Sequence, residues 1–320
     1  MNVLTALAGV MAELLREDGR RVLLGEDVRT GGMLGLSRSV MEDPALGLRV
    51  LATPLAPAAC LAHATGLALA GRRPIVALPS ASGLLEGYAA LRELGRISAT
   101  ADGERNAPVL IVAPTGPGFG LGGDAADAPD GAIAGIPGLR VIVLGDAAEA
   151  PATLRAAASF DQGDAPTVLL LPRALLLREL DRSDFKDSLG RPLGATRVVR
   201  EGSAATVLAI GAAVDQAFAA VETCGVDAAI VEVSGLAPLD EQGVVAAATT
   251  GKLVVTHAGG RAYGPGAELV ALLADRAILH LDAPVLRVTG TSGPHTGRDE
   301  VAGLPSVEAI AAAISQVATF

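Results

Sequence analysis

Short β-branched runs alternate with longer Ala- and Leu-rich stretches of helical period along nearly the whole chain. That alternation admits few folds other than βαβ units wound into mainly parallel sheets. Strands are predicted at 22–26, 49–52, 74–78, 109–113, 140–144 and 167–171, with helices at 57–70, 84–100 and 147–159 between them and Gly71 placed to end the first of these. Glu13, Glu17 and Asp18 among apolar neighbours make the N-terminal residues an amphipathic helix rather than a basic-headed signal peptide. A charged, proline-containing stretch, 178–200, then interrupts the pattern. It includes Asp181-Arg-Ser-Asp-Phe-Lys-Asp187 and divides the chain into two doubly wound α/β domains, 1–185 and 186–320. In the second, strands are predicted at 205–210, 226–233, 252–257 and 285–289, and helices at 212–223, 240–249, 266–277 and 306–317.

Length agrees, since 320 residues at about 100–200 per domain is a two-domain chain. Half of the residues are hydrophobic and only 19% are charged, enough for sizeable cores and too apolar for disorder. No uncharged apolar run is long enough to span a bilayer, so no membrane association is expected. A net charge of −10 without a lysine or arginine cluster argues against nucleic acid. Cys60 and Cys224 lie far apart in apolar helical contexts and read as packing thiols, which places the chain in a reducing compartment, the cytoplasm.

In an open parallel sheet, ligands bind at the carboxyl ends of the strands, where four loops stand out. Gly25-Glu26-Asp27-Val28 sets two carboxylates at a strand end, either as site acids or to fix the loop. In Thr53-Pro54-Leu55-Ala56-Pro57, Thr53 is placed to cap the next helix and Pro57 to sit in its first turn. Pro114-Thr-Gly-Pro-Gly-Phe-Gly-Leu-Gly-Gly-Asp124 is a glycine-rich loop of the kind that cradles phosphate, but it matches no nucleotide-binding spacing, and Asp124, Asp127 and Asp130 would repel an anion. His257 ends a predicted strand without an acid beside it and reads as a packing or interface residue, as does His63 within an apolar helix. His280 and His295 lack ligand spacing, and no HExxH, CxxC or GxSxG pattern occurs, so no protein metal site is expected.

The ordered set of phrases Leu24-Gly-Glu-Asp-Val28, Thr53-Pro-Leu-Ala56, Gly71-Arg-Arg-Pro-Ile75, Ile136-Pro-Gly-Leu-Arg-Val141, Pro172-Arg173-Ala174, Arg200-Glu-Gly202, Leu236-Ala-Pro-Leu-Asp240, Thr250-Gly-Lys-Leu-Val-Val-Thr-His257, Gly264-Pro-Gly-Ala-Glu268 and Leu281-Asp-Ala-Pro-Val-Leu-Arg-Val288 runs through almost the whole chain. It resembles the β chain of the E1 component of thiamine-diphosphate-dependent 2-oxoacid dehydrogenases, in the transketolase-like superfamily. The resemblance implies a pyrimidine-binding domain followed by a transketolase C-terminal-like domain. It also implies an α-like partner chain that holds the diphosphate and its magnesium in an α₂β₂ heterotetramer, with a homodimer as the other arrangement.

The resemblance places the cofactor-facing positions at Leu55, Pro57, Gly83 and Glu86. The family's activating glutamate falls on Pro57, which has no side-chain acceptor, and its stacking aromatic on Gly83. A histidine falls on Gly120 and a His-Ser pair on Ala125 and Ala126, while Glu86 stands where the family often has a glutamine. The cation-binding loop of the family falls near Leu110 and 158–163, where Phe160-Asp-Gln-Gly-Asp164 is longer than the usual form. The first reading is therefore a catalytically degenerate E1β-like subunit serving assembly or regulation. The alternative is an active thiamine-diphosphate enzyme, performing 2-oxoacid decarboxylation or carboligation, with Glu86 as surrogate acid. A third reading is a binding module for another ligand, in an enlarged apolar pocket around Pro57, Ala81, Gly83 and Ala125.

Overall fold

In a computed structural model the structure describes residues 1–100, 107–160, 165–186 and 190–320. The first part of the chain runs α1 (Val3–Glu17), β1 (Arg21–Gly25), α2 (Arg38–Met41), β2 (Val50–Ala52), α3 (Pro57–Leu69), β3 (Arg73–Ala77), α4 (Ser82–Glu86), α5 (Tyr88–Thr100), β4 (Leu110–Thr115), α6 (Asp130–Ala134), β5 (Arg140–Val143), α7 (Ala150–Ser159), β6 (Thr167–Pro172) and α8 (Arg173–Leu176). The remainder runs β7 (Arg197–Arg200), β8 (Ala205–Ala209), α9 (Ala213–Cys224), β9 (Ala228–Glu232), β10 (Gly235–Ala237), α10 (Glu241–Ala246), β11 (Leu253–His257), α11 (Pro265–Arg276), β12 (Leu286–Thr289) and α12 (Val307–Ala318).

Two sheets result, in the orders β10-β5-β6-β4-β3-β1-β2 and β12-β11-β8-β9-β7. All pairings are parallel except those of the edge strands β10 and β7. Alternate residues of the first sheet face opposite layers, as the period of two requires. Leu23, Ile75, Val112 and Leu169 pack toward Leu7, Met11 and Leu154 of α1 and α7. Leu24, Val76, Ile111 and Leu170 pack toward Leu61, Leu91 and Leu94 of α3 and α5. The latter layer continues into Leu208, Val231 and Val255 of the second sheet, so one core serves both sheets. The other face of the second sheet closes against α9 and α12 through Val207, Ile230, Val254, Ala217, Ile310 and Ile314.

The alternation of the sequence is realised strand by strand, with the short helices α2, α6 and α8 added and with further differences. β7 lies inside the stretch read as a linker, paired antiparallel to β9. β10 was not predicted and adds to the first sheet although it comes from the second half of the chain. The predicted helix 84–100 is two helices parted at Gly87, whose Cβ would lie 2.7 Å from Leu61 Cδ1 on α3. His63 is exposed, so it is no core residue. The 161–164 part of the cation-loop candidate lies outside the described residues, as do 187–189 beside the predicted domain boundary. Among the described residues one stretch, Glu300–Ala318, has the length and hydropathy of a membrane span. Pro305 interrupts it, and α12 buries Ile310, Ile314 and Val317 in the second core.

A buried ionic network crosses between the sheets. Glu149, 3% exposed, receives Arg197 at 2.5 Å, Arg191 at 2.6 Å and Lys186 at 3.0 Å. Arg197 on β7 also bridges Glu232 of β9 at 2.7 Å, and Glu232 is equally buried. Removing one partner from such a cluster leaves the others with their desolvation uncompensated, which outweighs the modest value of the intact pairs. Glu149→Ala is expected to lower urea-unfolding stability by about 3 kcal/mol, the low end for a buried ion because the cations are partly solvated. An exposed pair such as Glu93–Arg96 is expected to give little change on the same assay.

Candidate functional site

The carboxyl ends of β1, β3 and β4 converge on the start of α3, the turn before α4 and the glycine-rich loop after β4. Pro57 is the first residue of α3, where its missing N–H is no loss, and it is buried. Gly83 is buried in α4, and a Cβ built on it would lie 3.3 Å from Pro57 Cγ and 3.7 Å from Leu78 Cδ1. The positions to which the resemblance assigns an acid and an aromatic ring are thus direct neighbours, and neither carries an ionisable or stacking group. Ala81 beside them is fully buried. A first side-chain carbon at Gly83 would thus already meet the Pro57 ring.

Leu55 is 65% exposed on the approach to α3. Glu86 is exposed, and its carboxylate has no hydrogen-bond or ion-pair partner among the described residues. It is the last residue of α4, not in a first turn, because the helix begins at Ser82 rather than near Leu84. Thr53 does not cap α3; Ala56 holds that place without a side-chain bond, and the Thr53 hydroxyl instead faces Cys60, whose thiol burial pushes up. Ala125 sits half-buried in a 3₁₀ turn, Gly123–Ala126. The Ser80 hydroxyl ties that turn to the loop before α4 by donating to Asp124 O at 3.3 Å. The loop after β1 is fixed not by the two carboxylates but by the Asp27 carbonyl, which accepts from Thr30 and Gly32 N–H, each at 2.8 Å.

The glycine-rich loop holds an anion, against the expectation from its three aspartates. The occupant is the carboxylate of Glu300, which accepts from Gly118, Gly120 and Gly122 N–H at 2.8, 2.6 and 2.8 Å. The aspartates do not prevent this, since Asp124 is exposed and Asp130 is buried elsewhere, bonded by the Thr115 hydroxyl at 3.1 Å. Arg173, 3% exposed, donates to Gly116 O and Pro79 O at 3.2 Å each, and burial draws its pKa down to about 10. His257 is 1% exposed, with Nδ1 2.7 Å from Ala258 O and burial lowering its pKa, a packing residue as the sequence indicated. Glu300, Arg173 and the Glu149 cluster escaped sequence reasoning. Only the alternation of Gly118, Gly120 and Gly122 hinted at the first, because it marks where amides can converge.

Asp130 lines a cavity of about 10 Å³ between the two sheets, together with Thr115, Gly211 and Ala258. Burial pushes its pKa up to about 6, opposed by the Thr115 hydrogen bond. Below the unfolded pKa of about 4 both states are protonated. Between there and pH 6 only the unfolded chain loses its proton, so this group subtracts stability as pH rises through that window. Asp130→Asn is expected to match the wild type at pH 3.5 and to be up to about 3 kcal/mol more stable above pH 7, read by urea unfolding.

Comparison with known proteins places this geometry. The model of the transketolase pyrimidine-binding domain matches residues 1–178 and that of the transketolase C-terminal domain residues 194–310. The 2-oxoisovalerate dehydrogenase subunit beta of Pseudomonas aeruginosa is 29% identical over 335 aligned residues, covering 99% of this chain and 95% of that one. The pyruvate dehydrogenase E1 component subunit beta of Staphylococcus aureus is 30% identical, covering 94% of each. Among solved structures, a split-gene transketolase described as an inactive β4 tetramer shares the fold with a TM-score of 0.75 at 23% identity, covering 100% of this chain and 98% of that one. The transketolase from Leishmania mexicana gives 0.71 at 17%, covering 99% of this chain and 45% of its own. The chain therefore belongs to the transketolase family, with its pyrimidine-binding and C-terminal domains in order, and is related along nearly its whole length to the E1 β subunits of 2-oxoacid dehydrogenases.

Proposed function

We propose that the chain is a catalytically degenerate E1β-like subunit, a cytoplasmic assembly or regulatory partner of an α-like chain in an α₂β₂ heterotetramer. The observation that carries the reading is that a side chain at Gly83 would begin against Pro57, its Cβ 3.3 Å from the proline Cγ. The resemblance asks this pair of positions for a carboxylate to hydrogen-bond the aminopyrimidine of thiamine diphosphate and a ring to stack on it. Proline offers no side-chain acceptor and glycine no ring, and the proline ring packs where a side chain at Gly83 would begin. The residues present do not fit an activated cofactor. The side chain of Ala125 likewise offers no proton donor or acceptor.

Whole-length relatedness to proteins named as β subunits supports the subunit role, and the α-like chain would carry the diphosphate and magnesium contacts. The exposure of Glu86 gives the surrogate-acid reading no support. A homomeric assembly is the competing arrangement, and light scattering of the chain with and without its α-like partner separates the two.

The reading is tested by titrating thiamine diphosphate with Mg²⁺ into the chain alone and into the co-expressed complex, and by assaying 2-oxoacid decarboxylation in both. No turnover beyond that of the α-like chain alone is expected. Decarboxylation that requires this chain and disappears in Glu86→Gln would establish the active alternative.

A further inference from the structure

The loop after β4 and the segment following β12 meet backbone to backbone. Gly123 N–H donates to His295 O at 2.6 Å. A Cβ on Gly122 would stand 2.5 Å from Gly297 N, and one on Gly297 2.2 Å from Gly120 O, so side chains are excluded from the seam. Gly120 and Gly122 have φ of +68° and +63°, the left-handed region open to glycine at little cost. Glu300, 6% exposed, enters this seam and satisfies three amides with its two carboxylate oxygens. Burial pushes its carboxyl up, but the N–H groups of Gly122, Gly118 and Gly120 outweigh that and hold it below the usual range, so the group is charged. On the carbonyl side of the same loop the Arg173 guanidinium binds Gly116 O. Anion on amides and cation on carbonyls is the arrangement expected for a peptide nest with a resident ligand.

We infer that residues 118–122 form a carboxylate-binding nest whose ligand is the chain's own Glu300, and that this contact is the latch by which the second half of the chain holds the loop bearing Ala125. The latch is independent of whether thiamine diphosphate binds, because it uses backbone amides and one side chain of this chain alone. With Glu300 shortened, the nest remains as a site for a small free carboxylate.

Hydrogen exchange followed by mass spectrometry tests this on the full-length chain, comparing wild type with Glu300→Ala, each with added sodium formate or with sodium chloride at equal ionic strength. In Glu300→Ala, exchange in peptides spanning 116–124 and 291–300 is expected to rise about tenfold, the scale of losing hydrogen bonds to a charged acceptor, while β8 and β11 stay protected. Formate is expected to restore protection of 116–124 in the variant, and chloride not to. Unchanged exchange in the variant overturns the latch, and failure of formate to protect overturns the nest. Should the alanine variant lose structure throughout, Glu300→Gln serves instead: its single acceptor oxygen is expected to give partial loss of protection confined to the same two segments, and wild-type exchange there would contradict the proposal.

Discussion

Close approach of backbone to backbone, where the two sheets meet, is the constraint on which the rest of the structure depends. β10, from the second half of the chain, lies along the edge of the first sheet, with Val143 N–H donating to Ser234 O at 2.8 Å. A Cβ on Gly235 would fall 2.5 Å from Gly194 O, and one on Gly131 2.5 Å from Tyr263 O. The abundance of small residues, 39 of them glycine, is the means of this approach. Its consequence is that carboxylates which would be solvated in separate halves become buried at the junction. Glu149 and Glu232 are met there by arginine and lysine, and Glu300 by amides.

The same constraint shows at the positions that the resemblance singles out. Pro57 suits the first turn of α3 by its fixed φ, and a Cβ at Gly83 would stand 3.3 Å from its Cγ, closer than ordinary contact. The glycine at position 120, where the resemblance would put a histidine, has a left-handed backbone and gives its N–H to Glu300, so a side chain there would be strained as the loop now stands. At these positions the absence of ionisable and ring side chains goes together with close packing. Arg173 and Ser80, which tie the loops together through carbonyls, remain.

Much of this was legible in the sequence, because the strands of both sheets are local runs of β-branched and aliphatic residues whose burial follows from period alone. β7 was not, since Arg197 and Arg200 flank only Val198 and Val199 and read as a solvated linker; the pairing of Arg197 with Glu232 that makes it a strand is a long-range fact. β10 is three residues long and owes its place to the edge of a distant strand. The ordered phrases were enough for the family, and the structure sets the two positions counted from them, Pro57 and Gly83, beside each other. Counting had no means of finding Glu300, because a carboxylate in a loop carries no periodicity and its partners are amides of another loop. The repulsion expected from Asp124, Asp127 and Asp130 failed for a related reason: proximity in sequence did not bring their charges into the nest.

Loss of cofactor activation at Pro57 is tested most directly by the rate at which the C2 proton of bound thiamine diphosphate exchanges with deuterium, followed by proton NMR in the co-expressed complex with Mg²⁺. A site without an acceptor for the aminopyrimidine is expected to leave that exchange at the rate of the free cofactor. Acceleration that depends on this chain would contradict the account, and would mean that another group performs the task the proline cannot.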